Sequence, residues 1–104
     1  MAAPYNPPKK NEDFLCYVAL EDYANPGNFK SSPTIASGDF QVSKDGGAFA
    51  NLTTLPSVAP AASQMVLITL SATEMNADNV VIRCVDQTAS KEWADLIINI
   101  ITTQ

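Results

Sequence analysis

The chain has 104 residues, six of them basic and eleven acidic, and carries a net charge of −5 at pH 7. A chain of this length forms one domain that buries about two-thirds of its unfolded surface, so it needs neither a metal nor a disulfide to fold. Its basic residues are scattered, which argues against a nucleic-acid partner, and the absence of histidine removes the commonest general base and metal ligand.

The first twelve residues predict an extended arm, because three prolines fall among the first eight and nothing there packs by itself. We therefore divide the chain into an arm at residues 1–12 and a β-sandwich domain at residues 13–104. The arm is expected to become ordered against a neighbouring subunit, with Tyr5, Pro7 and Pro8 as its partner-binding residues.

Apolar residues then alternate with period two, which is typical of strands. The predicted strands are residues 13–22, 39–43, 48–52, 65–70 and 79–85. The sequence KDGG at residues 44–47 predicts a hairpin turn, since Asp45 and Gly46 can take positive φ. Residues 53–64 carry two prolines and predict either a connection between sheets or a weak edge strand.

The last apolar run, residues 93–102, fits helical spacing as well as a strand. We favour the strand, because isoleucine and threonine are β-branched and the other elements are short strands separated by turns. The whole pattern predicts an all-β fold, either a sandwich or a barrel.

The stretch LSATEMNADNVVIRC, residues 70–84, is predicted to form a structural corner with a short helical turn at residues 71–76. Ser71 and Glu74 have the spacing of a capping box, Met75 is expected to point into the core, and Asp78 to accept local hydrogen bonds. A glycosidase-like pair formed by the two carboxylates would require a sugar-binding cleft with aromatic platforms. The predicted corner accounts for both carboxylates without requiring such a cleft.

Cys16 and Cys84 lack the spacing of a zinc site and are expected to be buried core thiols. We predict no metal site, no cofactor and no catalytic residue, because no serine lies in a nucleophile elbow. The N-terminus has no apolar core of the length that a signal peptide needs, and no stretch of the chain approaches the length of a membrane span, so no membrane partner is expected.

Asp78 precedes Cys84 by six positions, with Val80 and Ile82 between them on the same strand face as the cysteine. This pattern resembles the corner that enters the penultimate strand of immunoglobulin-like domains, although Ile82 stands where those domains usually have a tyrosine. The resemblance implies a single immunoglobulin-like antiparallel β-sandwich in which Cys16 faces Cys84 from the opposite sheet.

A wider resemblance covers GDFQVSKDGGAFANLTTLP, LSATEMNADNVVIRCVD and KEWADLIINIITT. Together these stretches resemble small structural proteins and fibre-attachment modules of tailed bacteriophages. The resemblance implies a non-enzymatic virion protein, made in the host cytoplasm, whose partners are capsid, neck or tail subunits and further copies of itself. Such a protein serves as a neck or tail adaptor, a fibre-attachment module or capsid cement, and its thiols remain reduced in that compartment.

Two other classes of function remain open, namely a carbohydrate- or cell-surface-binding sandwich and a small enzyme. The binding module requires clustered exposed aromatic side chains. Trp93 is the best candidate, although its position at the start of a strand also suits a plug at the edge of the core.

Overall fold

The computed structural model describes residues 7–103, which form an all-β structure with two antiparallel sheets, consistent with a β-sandwich. No helix occurs within this range. The strands are β1 (Phe14–Ala19), β2 (Phe40–Lys44), β3 (Ala50–Asn51), β4 (Ser57–Val58), β5 (Met65–Leu70), β6 (Asn79–Cys84) and β7 (Leu96–Ile101). The smaller sheet has the order β1–β5–β4 and the larger sheet has the order β3–β2–β6–β7.

The core lies between the two sheets and is built by alternate residues of the long strands. In β5, for example, Val66, Ile68 and Leu70 are completely buried, because successive side chains of a strand point to opposite faces. The buried apolar residues are Leu20, Phe40, Val42, Val66, Ile68, Leu70, Met75, Ala77, Val80, Ile82, Cys84, Trp93 and Ile100.

The predicted hairpin at residues 44–47 is present and joins β2 to β3. Asp45 and Gly46 have φ values of 50° and 78°, and the Gly47 N–H donates to the Lys44 carbonyl at 2.9 Å. The return strand, predicted at residues 48–52, is only two residues long, since only Ala50 and Asn51 pair with β2. The Ser43 hydroxyl donates to the Gly47 carbonyl at 2.7 Å.

The connection at residues 53–64 contains the two-residue edge strand β4, which pairs with β5. The final apolar run is a strand, as predicted, and β7 pairs with β6 along its whole length. Trp93 precedes β7 and forms an isolated bridge with Asp22.

Residues 8–11 do not form an arm that stands apart from the sandwich. The Lys10 N–H donates to the Thr103 carbonyl and the Thr103 N–H donates to the Pro8 carbonyl, both at 2.8 Å. The Asn11 N–H donates to the Met75 carbonyl at 3.0 Å. Hydrogen bonds therefore cross the predicted boundary between residues 12 and 13. They join the backbone of residues 8–11 to Thr103, near the other end of the chain, and to Met75 in the corner.

Candidate interaction surfaces

The corner at residues 71–78 is closed by the reciprocal hydrogen bonds of a capping box. The Ser71 N–H donates to Glu74 Oε1 at 2.9 Å, and the Glu74 N–H donates to the Ser71 hydroxyl at 3.2 Å. Glu74 Oε2 accepts from the Thr53 N–H at 2.8 Å. Both carboxylate oxygens of this buried side chain therefore bind backbone donors and tie the corner to the connection between β3 and β4.

Met75 is fully buried at the base of the corner. Its N–H donates to the Ser71 carbonyl at 3.0 Å, and residues 72–75 form a hydrogen-bonded turn rather than a helix. Asp78 is exposed and forms an ion pair with Lys10 at 3.2 Å.

The carboxylate of Asp45 stabilises the start of β6. Its Oδ1 accepts from the backbone N–H groups of Asp78 and Asn79 at 3.1 Å and 2.9 Å. The hairpin at residues 44–47 is thus attached to the corner. The sequence had indicated only the turn conformation of Asp45, not this contact.

Two further buried carboxylates hold loop backbone. Asp39 accepts from the N–H groups of Ala36 and Gln87 at 2.8 Å and 3.0 Å. Asp86 accepts from the N–H groups of Thr88 and Glu92 at 3.0 Å and 2.8 Å. Burial alone would raise the pKa of Asp86, but these hydrogen bonds, with that of the Thr88 hydroxyl and the charge of Lys91, lower it below its usual value.

The buried polar chemistry of the described chain is therefore structural. Within residues 7–103, every buried side-chain nitrogen and oxygen has a hydrogen-bond partner. The same range contains no group of three or more Cys, Asp or Glu side chains that could hold a metal ion.

The outer surface of the smaller sheet, here called the small-sheet face, is the first candidate. Its residues are those of β1, β5 and β4 that point away from the core: Leu15, Tyr17, Ala19, Ser57, Met65, Leu67 and Thr69. Tyr17 pairs with Leu67 and Ala19 with Met65, so the apolar side chains are contiguous. All seven are uncharged, and Tyr17 and Met65 are 44% and 41% exposed.

The outer surface of the larger sheet is mixed in character. Arg83 donates to the Gln41 side chain, its guanidinium lies 4.0 Å from the centre of the Phe49 ring, and Asn79 donates to Asn99 at 2.6 Å. Ile97 and Ile101 are exposed between these polar groups. This surface therefore carries the charged and amide side chains expected of a solvated sheet face, whereas the small-sheet face carries neither kind.

A cleft of about 340 Å³, here called the edge cleft, opens between β1 and β7. Its lining is uncharged and consists of Pro8, Phe14, Cys16, Tyr17, Val18, Ile98, Asn99, Ile100 and Ile101. Of the predicted partner-binding residues, Pro8 is half-buried in this cleft, Pro7 is exposed and Tyr5 lies outside the described residues.

Trp93 is not an exposed binding residue. Its side chain is completely buried, its ring centre lies 6.1 Å from that of Phe40, and its indole N–H donates to the Cys84 carbonyl at 3.3 Å. The exposed aromatic side chains near one another in sequence are instead Tyr23 and Phe29, at 58% and 62% exposure. Their loop is closed by the Asp22 N–H, which donates to the Asn28 carbonyl at 2.8 Å.

Cys16 and Cys84 are free thiols on strands of opposite sheets. Burial raises the pKa of both, and for Cys84 burial together with the nearby Cys16 raises it to about 12. The thiolate is the reactive form, and this raised pKa keeps the Cys84 thiol protonated at neutral pH.

Comparisons of the chain with protein-family models, with curated proteins and with solved structures found no match. Residues 7–103 contain no helix long and apolar enough to cross a membrane.

Proposed function

We propose that the chain is a non-enzymatic structural protein of a tailed-bacteriophage virion that binds neighbouring virion subunits through the small-sheet face. The carrying observation is that β1 and β5 are largely apolar on both of their faces, with Thr69 as the polar residue on the outer face of β5. An antiparallel sheet with one solvated face usually alternates apolar and polar residues. Here the positions that should be polar are Leu15, Tyr17, Ala19, Met65 and Leu67, and a contiguous apolar surface of this kind is typical of an interaction site.

The chemistry of this face selects the class of partner. An uncharged apolar surface offers nothing to phosphate groups, and a chain of net charge −5 repels them. A protein surface with apolar side chains of its own can bury Tyr17 and Met65 without leaving a buried charge unpaired. Other capsid, neck or tail subunits, or further copies of this chain, are partners of that chemistry.

The proposed roles are those implied by the resemblance of the sequence to small phage structural proteins: neck or tail adaptor, fibre-attachment module or capsid cement. Such a protein is made in the host cytoplasm and resides in the virion. The acidic, apolar-faced sandwich and its free thiols are compatible with that setting. Contact of Tyr5 and Pro7 with a neighbouring subunit stays a prediction.

We further propose an immunoglobulin-like identity for the sandwich. The orders β1–β5–β4 and β3–β2–β6–β7 agree with the B–E–D and C′–C–F–G order of such domains, and Cys16 and Cys84 fall on the strands equivalent to B and F. The hydrogen bond from the Met75 N–H to the Ser71 carbonyl supports a single helical turn at the corner. Ile82 and the free thiols depart from the antibody pattern.

The proposal is tested by placing a charge on the small-sheet face. Tyr17→Glu and Met65→Glu change exposed side chains, so the isolated domain should keep its melting temperature. The variants should be strongly depleted from purified particles, measured as copy number by mass spectrometry. Ile97→Glu, at 57% exposure on the other sheet, is the matched control and should be incorporated normally. Normal incorporation of the Tyr17 and Met65 variants would rule out this face as the virion contact.

A carbohydrate- or cell-surface-binding module is the second candidate, favoured by one observation. Tyr23 and Phe29 are both exposed on the loop that follows β1, and exposed aromatic rings are suitable platforms for sugars. If this is the function, binding to a glycan array or to host cells should be lost in Tyr23→Ala and Phe29→Ala and kept in Tyr17→Glu. No binding by the unaltered protein would remove this candidate.

A further inference from the structure

The small-sheet face carries a projecting ring beside a low position. Tyr17 and Ala19 are its largest and smallest side chains, and both stand on the same side of β1 because they are two residues apart. Ala19 pairs with Met65 of β5, and the next pair on this face joins Tyr17 to Leu67. The low position at Ala19 is therefore bordered by Tyr17 and Met65, which are 44% and 41% exposed.

This relief is complementary to itself. Two sheets that pack face to face lie about 10 Å apart, with their strands within about 30° of each other. A two-fold axis between two such faces, perpendicular to β1 at the level of Val18, places Tyr17 of each copy over Ala19 of the other. The same axis places Leu67 over Met65 of the other copy, because these two residues pair with Tyr17 and Ala19 across the sheet. Each projecting ring then meets a methionine thioether, which is a favourable contact for an aromatic side chain.

The absence of charge favours a second copy as the occupant. Each copy has a net charge of −5, so two copies repel each other unless the surfaces that meet are free of acidic side chains. All seven residues of the small-sheet face are uncharged, so two copies can meet there without placing like charges opposite each other. A partner recognised through its charge would be met by lysine, arginine or carboxylate side chains, and this face has none.

We infer that the small-sheet face binds the same face of a second copy of this chain, with Tyr17 of each copy over Ala19 of the other. The inference rests on the proposed function, since it names the partner of that face. The three strands cover about 14 Å by 20 Å, so two such faces bury about 600 Å² in all. Stable complexes bury about 1,200–2,000 Å². A single contact is therefore weak, and the chain is monomeric when dilute and paired when copies are concentrated or held together in a particle.

Sedimentation equilibrium of the full chain tests the pairing. Between about 0.01 mM and 1 mM, the average mass should rise from that of a monomer towards that of a dimer and no further, because a two-fold contact is closed. Tyr17→Ala should weaken the association about tenfold. Ile97→Ala removes an exposed apolar side chain from the other sheet and, as the matched control, should leave the association unchanged. A monomer at every concentration, or equal effects of the two substitutions, would overturn the inference.

Exchanging the ring and the low position separates this shape from apolar area alone. Ala19→Tyr places two rings on the same strand face and should prevent pairing, although it adds apolar surface. Combining it with Tyr17→Ala moves the ring by two residues and restores a shape that is complementary under the same two-fold axis. The double variant should therefore associate within about threefold of the unaltered protein. Stronger association of Ala19→Tyr alone, or no recovery in the double variant, would contradict the inference.

Both positions are at least partly exposed, so the variants should keep the melting temperature of the unaltered chain. If Ala19→Tyr fails to fold, the comparison of Tyr17→Ala with Ile97→Ala still decides whether this face pairs.

The failure of this inference can be told apart from the failure of the proposed function. If the chain stays monomeric to about 1 mM while Tyr17→Glu is depleted from particles, the face binds a different virion subunit. That result overturns the pairing of copies and leaves the proposed function standing. If the chain pairs through this face but Tyr17→Glu and Met65→Glu are incorporated normally, the pairing stands and the proposed virion contact is wrong.

Discussion

At the scale of single residues, Met75 lies where the corner, the first described residues and the core meet. Its side chain is fully buried, and its carbonyl accepts from the N–H groups of both Asn11 and Ala77. We expect Met75→Ala to lower the free energy of unfolding by about 2–5 kcal/mol, because the lost side chain leaves a cavity in the core. Met65→Ala is the matched control, since Met65 is exposed in the isolated domain and should cost far less. Urea denaturation measures both, and equal midpoints for the two variants would contradict the burial of Met75.

The buried carboxylate of Asp86 should make stability depend on pH. Its pKa is lower in the folded chain than in the unfolded chain, so its contribution is complete above about pH 4, near the unfolded pKa. That contribution is lost as the pH falls through the folded pKa. Asp86→Asn removes this titration, and the difference in unfolding free energy between the original protein and the variant should be large at pH 7 and shrink in acid. A difference independent of pH would show that ionisation of Asp86 does not stabilise the fold.

At the scale of elements, the long strands could be predicted and the contacts between elements could not. Residues 65–70 were predicted as a strand and form β5, because the alternation of a half-buried strand is local information. The two-residue strands β3 and β4 begin and end where their pairing with β2 and β5 begins and ends. Sequence spacing does not reveal this pairing. Similarly, the sequence pattern places Trp93 at the start of the last predicted strand. It does not reveal the contacts with Phe40 and Cys84 that accompany the complete burial of its side chain.

The contact of Asp45 with the corner is another long-range feature and gives a prediction for the hairpin. Asp45→Ala leaves the N–H groups of Asp78 and Asn79 without their carboxylate acceptor, and we expect a loss of about 1 kcal/mol because water replaces part of the interaction. Asp95→Ala is the control. It removes only an exposed ion pair with Lys91 and should cost at most about 0.5 kcal/mol. Chemical denaturation of the two variants compares them directly, and a cost at Asp45 no larger than at Asp95 would mean that the hairpin is not held by its carboxylate.

At the scale of the whole molecule, the two ends of the chain are joined by hydrogen bonds. Thr103 bonds Pro8 and Lys10 through its backbone, and its hydroxyl donates to the Pro8 carbonyl at 3.2 Å. The proline-rich composition of the first residues predicts an arm independent of the sandwich. Composition alone does not predict the pairing with Thr103. The segment at residues 8–11 is instead part of the folded unit, and the small-sheet face is the surface that we propose for a neighbouring subunit.

This junction predicts different effects for two deletions at the N-terminus. Removing residues 2–10 deletes all three hydrogen bonds to Thr103, worth about 1–3 kcal/mol together, and should lower the melting temperature by about 5–15 °C. Removing residues 2–6 keeps those bonds and should lower it less. Differential scanning calorimetry of the two proteins measures the comparison. Equal melting temperatures for the longer deletion and the unaltered chain would mean that the pairing at Thr103 contributes nothing, and residues 8–11 would again have to be treated as an arm independent of the sandwich.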